Sequence, residues 1–266
     1  MTTISHSLSQ LAPISLKEMK QVQLMNRIDT KYLMSVDSFI AIAPFLAGRY
    51  CIQTINGKIT APYQTLYFDT PDINMYIVHH DRKMQRQKIR TRRYRNTYTT
   101  FCEIKNKDNK GRTDKLRIPI LPEMFETALN DFNVQSFIKE NLKYDISMLA
   151  PHVENSFERI TLVNVEKTER ITIDSNIEFK NHHTGKSAKA TNLIIIEIKQ
   201  EGRSRSYFKE LLLNSHIQPK SFSKYCLGTI LTNSEVKYNR FKMKLRYIEK
   251  ITGTPFSQIL QTNHNQ

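Results

Sequence analysis

At 266 residues the chain is long enough to bury a substantial core, and 39% hydrophobic with 24% charged residues is a globular composition that excludes wholesale disorder. Lys and Arg total 40 against 25 Asp and Glu, a formal net charge of +15, which repels itself unless an anion compensates and points to nucleic acid, phosphate esters or an acidic membrane surface. No apolar run reaches the roughly 18 residues of a bilayer span, the N-terminus has no signal-like run, and Cys51, Cys102 and Cys226 fit neither a disulfide framework nor a zinc site, so the cytoplasm is the expected compartment.

In chain order, a helix is expected over residues 10–24, where Leu11, Ile14, Met19 and Val22 are loosely spaced. Residues 28–34 read as a strand ending at Ser35, a suitable N-cap for a helix through Phe39, Ile42, Phe45 and Leu46. Residues 51–55 and 62–68 follow as strands, with Thr70-Pro71 as cap and first-turn proline of a short helix through Met75 and Val78. The middle is a meander of strands 87–95, 98–107 and 112–118, turned at Asn96-Thr97 and at Asp108 to Gly111. Pro119 and Pro122 close it, and helices follow near 124–129 and 134–142. A hairpin of 157–165 and 170–177, a strand over 193–199, and helices at 207–213, 225–231, 236–251 and 256–260 complete the chain. Hairpins interrupted by a few helices indicate an antiparallel α+β fold, read as a single domain over 1–266 with a helical lead-in at 1–25 and a basic helix and tail at 234–266. With seven glycines and no G-x-x-x-x-G-K-[ST] loop, a P-loop nucleotidase is disfavoured.

The charged residues sort by strand period. Arg86, Lys88, Arg90 and Arg92 fall on one face of a strand, since side chains alternate. Glu103, Lys105 and Lys107 share a face opposite Cys102 and Ile104, and the same acid-x-base spacing recurs as Asp29-Thr30-Lys31 and Glu197-Ile198-Lys199. Arg170, Thr172 and Asp174 share a parity opposite Ile171 and Ile173. Such strands fit a solvated basic edge equally well; periodicity does not say which face is outside. The alternative is chemical: a carboxylate beside a cation holds a divalent metal next to a phosphate oxygen, and guanidinium groups bind phosphate through paired donors. Lys220-Ser221-Phe222-Ser223-Lys224 leads into a helix, which makes either a phosphate seat or a plain serine cap.

Taken in order, eight segments resemble the polyphosphate polymerase domain of the vacuolar transporter chaperone (VTC) family, a branch of the triphosphate tunnel metalloenzymes. They are Arg27-Ile28-Asp29-Thr30-Lys31-Tyr32, Tyr67-Phe68-Asp69-Thr70, Lys88-Ile89-Arg90-Thr91-Arg92-Arg93-Tyr94, Glu103-Ile104-Lys105, Arg159, Arg170-Ile171-Thr172-Ile173-Asp174, Glu197-Ile198-Lys199 and Ser221-Phe222-Ser223-Lys224-Tyr225. The resemblance implies an antiparallel barrel of about eight strands, with the charged faces lining a tunnel and helices packed outside. It implies that Lys31, Arg90, Arg92, Lys105, Arg159, Arg170 and Lys224 act on the reacting phosphates, and that Lys88, Lys107, Lys199, Ser223 and Lys220 bind substrate phosphate. It further implies that Glu197, with Glu103 and Asp29, holds Mn²⁺ or Mg²⁺. The implied reaction moves the terminal phosphoryl group of ATP onto a polyphosphate chain. Two departures stand out: Ser221 occupies a position where eukaryotic members tend to carry lysine, and Asp29 is a single acid where simpler tunnel triphosphatases show Glu-x-Glu-x-Lys.

Two other readings stay open, a triphosphatase on the same scaffold and a non-catalytic polyanion-binding module. Nucleic acid is not expected as a partner, because no zinc-finger, winged-helix or RNP signature is present. Residues 235–250 place Tyr238, Phe241, Leu245 and Ile248 at helical spacing among Lys and Arg, a pattern that suits packing on its own domain or docking on an anionic membrane or a membrane-protein partner.

Overall fold

The structure, a computed structural model, describes residues 3–20, 22, 24, 27–202 and 204–255. The helix expected at 256–260 lies outside them. Within them one eleven-stranded sheet forms. Its main path runs β2 (Arg27–Ser35), β11 (Leu193–Glu201), β9 (Glu169–Asn181), β8 (Ala150–Asn164), β4 (Ala61–Asp69), β5 (Arg86–Tyr94), β6 (Thr99–Lys107) and β7 (Thr113–Ile120). Every neighbouring pair on this path is antiparallel. Off it, β1 (Ala12–Ser15) lies parallel to β3 (Tyr50–Thr54), β3 pairs with β8, and β10 (Ser187–Ala190) pairs with β9.

The sheet is strongly curled. Lys105 on β6 and Lys31 on β2 interact electrostatically, although six strand steps separate them, about 29 Å across a flat sheet at ~4.8 Å per step. Coupling through that distance is screened away, so the two faces must turn toward each other across a shared interior. Register shifts at Tyr67/Phe68 on β4 and between Ser156 and Glu158 on β8 add the local bend that curling needs. Among the described residues no pairing joins β2 to β7, so the barrel stays open along that seam.

Helices cover the outside. Ile160, Leu162, Ile171, Ile173, Ile194, Ile196 and Ile198 form the outer face of β8, β9 and β11 and pack against α1 (Thr3–Ser7), α3 (Val36–Ile42) and α6 (Tyr207–Asn214). The outer face of β4 to β6, with Leu66, Ile89, Cys102 and Ile104, packs against α5 (Phe132–Asn141) and Met75 of α4 (Asn74–His80). At one end of the barrel the charged parity becomes apolar, through Leu33, Val153, Phe179 and Ile195, and there α7 (Lys224–Thr232) and α8 (Lys242–Thr252) close it. Fully burying each such side chain is worth about 1.5–3 kcal/mol.

Several elements differ from expectation. The helix expected over 10–24 is instead β1 followed by α2 (Leu16–Lys20), because Ser15 and Glu18 form a reciprocal cap that starts the helix there. Pro119 does not end β7 but lies inside it, tolerated because β7 is an edge strand. Pro71 precedes rather than begins α4; the helix is capped by the Asp69 carboxylate, which accepts from Met75 and Tyr76 at 2.9 and 3.0 Å, and by Thr70 Oγ1, which accepts from Asn74 at 2.9 Å. The C-terminal α-helix begins at Lys242, not near 236: Tyr76 donates to the Lys237 carbonyl and His80 bonds Asn239, and a single 3-10 turn, Asn239–Phe241, leads into it. Its apolar stripe, Phe241, Leu245 and Ile248, is buried in the domain's own core, and its exposed side carries Lys242, Arg246 and Lys250 together with Met243. Among the described residues no helix is long and apolar enough to cross a membrane.

Gly228 sets how closely α7 approaches the sheet: a Cβ there would lie 2.5 Å from Phe179 and 2.8 Å from Val153. Gly228→Ala is expected to destabilise the protein by about 1–3 kcal/mol through overpacking, read as a lower urea midpoint with unchanged slope; an unchanged midpoint would refute this packing.

Candidate functional site

The inward parity of β2, β11, β9, β8, β4, β5, β6 and β7 gathers the charges predicted from strand alternation. Three buried or half-buried carboxylates each serve two cations. Glu103, 1% exposed, receives Arg90 at 2.7 Å and Lys115 at 2.5 Å. Asp174, at 4%, is gripped by Arg159 through two nitrogens at 2.6 and 2.8 Å and is contacted by the Lys224 ammonium. Glu197 lies 3.0 Å from Lys199 and 3.7 Å from Lys31. Beneath these groups runs an aromatic floor. Arg90 stands 5.7 Å from the Tyr67 ring, Arg92 and Arg159 stand 5.9 and 4.7 Å from Tyr63, Lys224 4.2 Å from Phe157, and Lys88 5.4 Å from Tyr225. Each such contact contributes about 0.5–2 kcal/mol where water is excluded and holds its cation without consuming an anion.

The entry to α7 is fixed from both sides. Ser223 caps the helix by accepting from the Cys226 amide, as its sequence position suggests, and also accepts from Lys88 at 2.9 Å. Lys31 donates to the Phe222 carbonyl at 3.3 Å. One residue into the helix, the Tyr225 hydroxyl donates to Asp69, the same carboxylate that caps α4. Lys224 is thereby aimed at Asp174.

The electrostatics follow from burial against neighbours. Burial favours the neutral acid, but Arg159 and Lys224 overcome it and lower Asp174 to about 2, and Arg90 and Arg92 do the same for Glu103, also to about 2. Glu197 is held well below the carboxylate range by Lys199 and Lys31. Burial first, then Lys31, Arg90 and Lys88, push Lys105 down to about 8, although water reaches it. Among the described residues Lys88, Arg92, Lys105 and Arg170 have no carboxylate in ion-pair contact. The interior therefore carries uncompensated positive charge beside fixed donors, an arrangement with the chemistry to accept an anion.

Not every predicted residue joins this set. Asp29 is exposed and bound by Arg27 at 2.7 Å. Lys107 sits at the end of β6 and lines a separate cavity of about 870 Å³ with Arg86, Arg112 and Lys143. Lys220 stacks 5.0 Å from Tyr247 on α8. Conversely, Asp174, Lys115, Tyr63 and Tyr67 were not singled out as site residues. Asp174 shares the parity of Arg170 and is the cross-strand partner of Arg159, a signal readable once the register is known. Among the described residues no three of His, Cys, Asp and Glu gather to hold a metal by themselves. A hard divalent ion needs only one or two carboxylates when phosphates supply the rest. Glu197, ionised and 20% exposed, with its second cation only at 3.7 Å, fits that donor set better than Glu103 and Asp174, which are 1% and 4% exposed and each held closely by two cations.

A family model described as the VTC domain matches residues 26–233. A comparison with curated proteins finds no match. Among solved structures, a provisionally assigned adenylate cyclase from Bacillus halodurans is similar at 17% identity and a TM-score of 0.47, covering 75% of this chain and 96% of that one. A provisionally assigned adenylyl cyclase from Hippeastrum, for which a dominant triphosphatase activity is described, is similar at 15% identity and a TM-score of 0.48, covering 78% and 97%.

Asp174 and Glu103 ionise more readily in the folded chain than their ordinary 3.8 and 4.5. Their stabilisation, about 2–3 kcal/mol each, is present above about pH 4.5 and lost as pH falls through about 2. Urea midpoints should fall over that window, and Asp174→Asn should flatten the fall while lowering stability at pH 7, since Arg159 and Lys224 lose their partner. A midpoint independent of pH from 5 down to 2.5 would contradict the pairing.

Proposed function

Because the chain belongs to the VTC domain family, we propose that its channel transfers the terminal phosphoryl group of ATP to the end of a polyphosphate chain. The observation that carries this reading is the uncompensated charge of Lys88, Arg92, Lys105 and Arg170 beside the paired cations, in an interior where a linear phosphate chain supplies the missing anions. An oxygen of the acceptor chain attacks the terminal phosphorus, the bond to the bridging oxygen breaks, and ADP leaves. The nucleophile is the substrate's own oxygen, so the protein's task is alignment and charge neutralisation.

Arg90, held by Glu103 and Tyr67, and Arg159, held by Asp174, present fixed guanidinium forks. Arg92, steadied by Thr65 at 3.3 Å and the Tyr63 ring at 5.9 Å but by no carboxylate among the described residues, can follow the transferring group. Lys31, Lys105, Lys199 and Lys224 supply point charges along the path, with Ser223 and Lys88 at the α7 end. Glu197 would hold Mn²⁺ or Mg²⁺ together with substrate phosphates, and the bound ion would neutralise charge on the transferring group. The phosphate chain would also offset the repulsion among the cations, so ligand binding should stabilise the fold.

Incubation with ATP and Mn²⁺, with products resolved on a gel, tests the reaction: long phosphate chains support the transferase, whereas orthophosphate alone assigns hydrolysis to the same channel. Arg92→Gln, which strands no carboxylate, is expected to lower kcat/KM about 10²–10³-fold with little change in stability. Glu197→Gln should lose the response to Mn²⁺ and to its removal by chelator. Lys105 is protonated below about pH 8, so triphosphate affinity should weaken as pH rises through that value, and Lys105→Arg should remove the weakening.

A further inference from the structure

Three ammonium groups from distant parts of the chain converge on one short loop. Lys244 of α8 donates to Ser221 Oγ at 2.7 Å, Lys31 of β2 to the Phe222 carbonyl at 3.3 Å, and Lys88 of β5 to Ser223 Oγ at 2.9 Å. Arg86, two residues from Lys88 and so on the same face of β5, borders both this cluster and the cavity beside Lys107 and donates to the Lys83 carbonyl at 2.9 Å; after burial, it and Arg82 depress Lys244 further. His79 on α4, half-buried in the same region, is held well below its ordinary value by burial and then by Lys88, Arg86, Lys244 and Lys31. Carboxylates are scarce here. Lys31 reaches Glu197 at 3.7 Å, whereas Lys88, Lys244, Arg82 and Arg86 have no ion pair among the described residues. The channel interior differs in having carboxylates among its cations, at Arg90, Arg159 and Lys224, beside Arg92, Lys105 and Arg170, which are unpaired among the described residues.

We propose that Lys244 and Arg86, around the loop of Ser221, Phe222 and Ser223, form a second phosphate-binding station that grips the acceptor polyphosphate chain beyond the reacting triphosphate. The proposal rests on the channel reading above. Its physical basis is continuity: Lys31 and Lys88 belong to both clusters, so an anion seated in the channel is passed to Lys244 and Arg86 without a gap in positive charge. A ligand that uses both clusters at once repeats the same anionic unit along its length. Crowded cations lacking carboxylates also repel one another unless an anion is present, and the serine hydroxyls hold the ammonium groups in place without neutralising them.

The test compares calorimetric binding of inorganic tripolyphosphate and of long-chain polyphosphate to the full chain at fixed salt. Lys244→Gln and Arg86→Gln are expected to weaken long-chain binding about tenfold or more while tripolyphosphate binding stays within about twofold. Lys242→Gln, on the exposed side of α8, should change neither, and thermal melting confirms that each variant is folded. Equal losses for both ligands in folded variants, or no loss for either, would overturn the second station and leave the channel reading standing. Failure of the unaltered protein to bind either ligand would overturn the channel reading and this inference with it.

Discussion

Everything in this molecule depends on holding many like charges together inside a curled sheet. Desolvating an ion costs several kcal/mol, and the interior faces of eight strands are rich in lysine and arginine. The compensation is economical: Glu103, Asp174 and Glu197 each neutralise a pair of cations, and Tyr63, Tyr67, Phe157 and Tyr225 support others by their ring faces. What remains unmatched is the binding capacity. The two outer apolar clusters and the helices over them supply the stability that lets the interior stay electrostatically unsatisfied.

Helix α7 links that stability to the chemistry. Its apolar side packs on the end of the barrel, with Gly228 allowing the close approach, while its first turn sets Ser223 and Lys224 among the interior cations. Asp69 ties the arrangement together, because it caps α4 and accepts from Tyr225 at once. A shift of α4 would therefore be transmitted to Lys224 through two hydrogen bonds rather than through loose packing. The preorganised interior charge thus rests on the hydrophobic core only a few residues away.

Strand parity was sufficient to group Arg90 with Arg92, Glu103 with Lys105, and Glu197 with Lys199, because the two-residue period is a property of the backbone and needs no partner. The cap at Ser223 was legible for a similar local reason. Harder to read was the N-terminal stretch, where a Ser15–Glu18 cap competes with apolar spacing that mimics a longer helix, and where β1 exists only because β3 lies beside it. Lys115 gave no local signal, since its role arises from β7 lying beside β6, which brings it to Glu103.

From its sequence alone, the chain determined a basic, strand-rich domain with charged and apolar residues sorted onto opposite faces. Which face turns inward was decided only by the tertiary structure, since curvature is a collective outcome of bulges, register and helices packed on one side of the sheet. The pairing of each carboxylate with two cations, and the meeting of Lys31, Lys88 and Lys244 on one loop, were likewise settled in three dimensions, because electrostatic contact depends on distance through space and not along the chain.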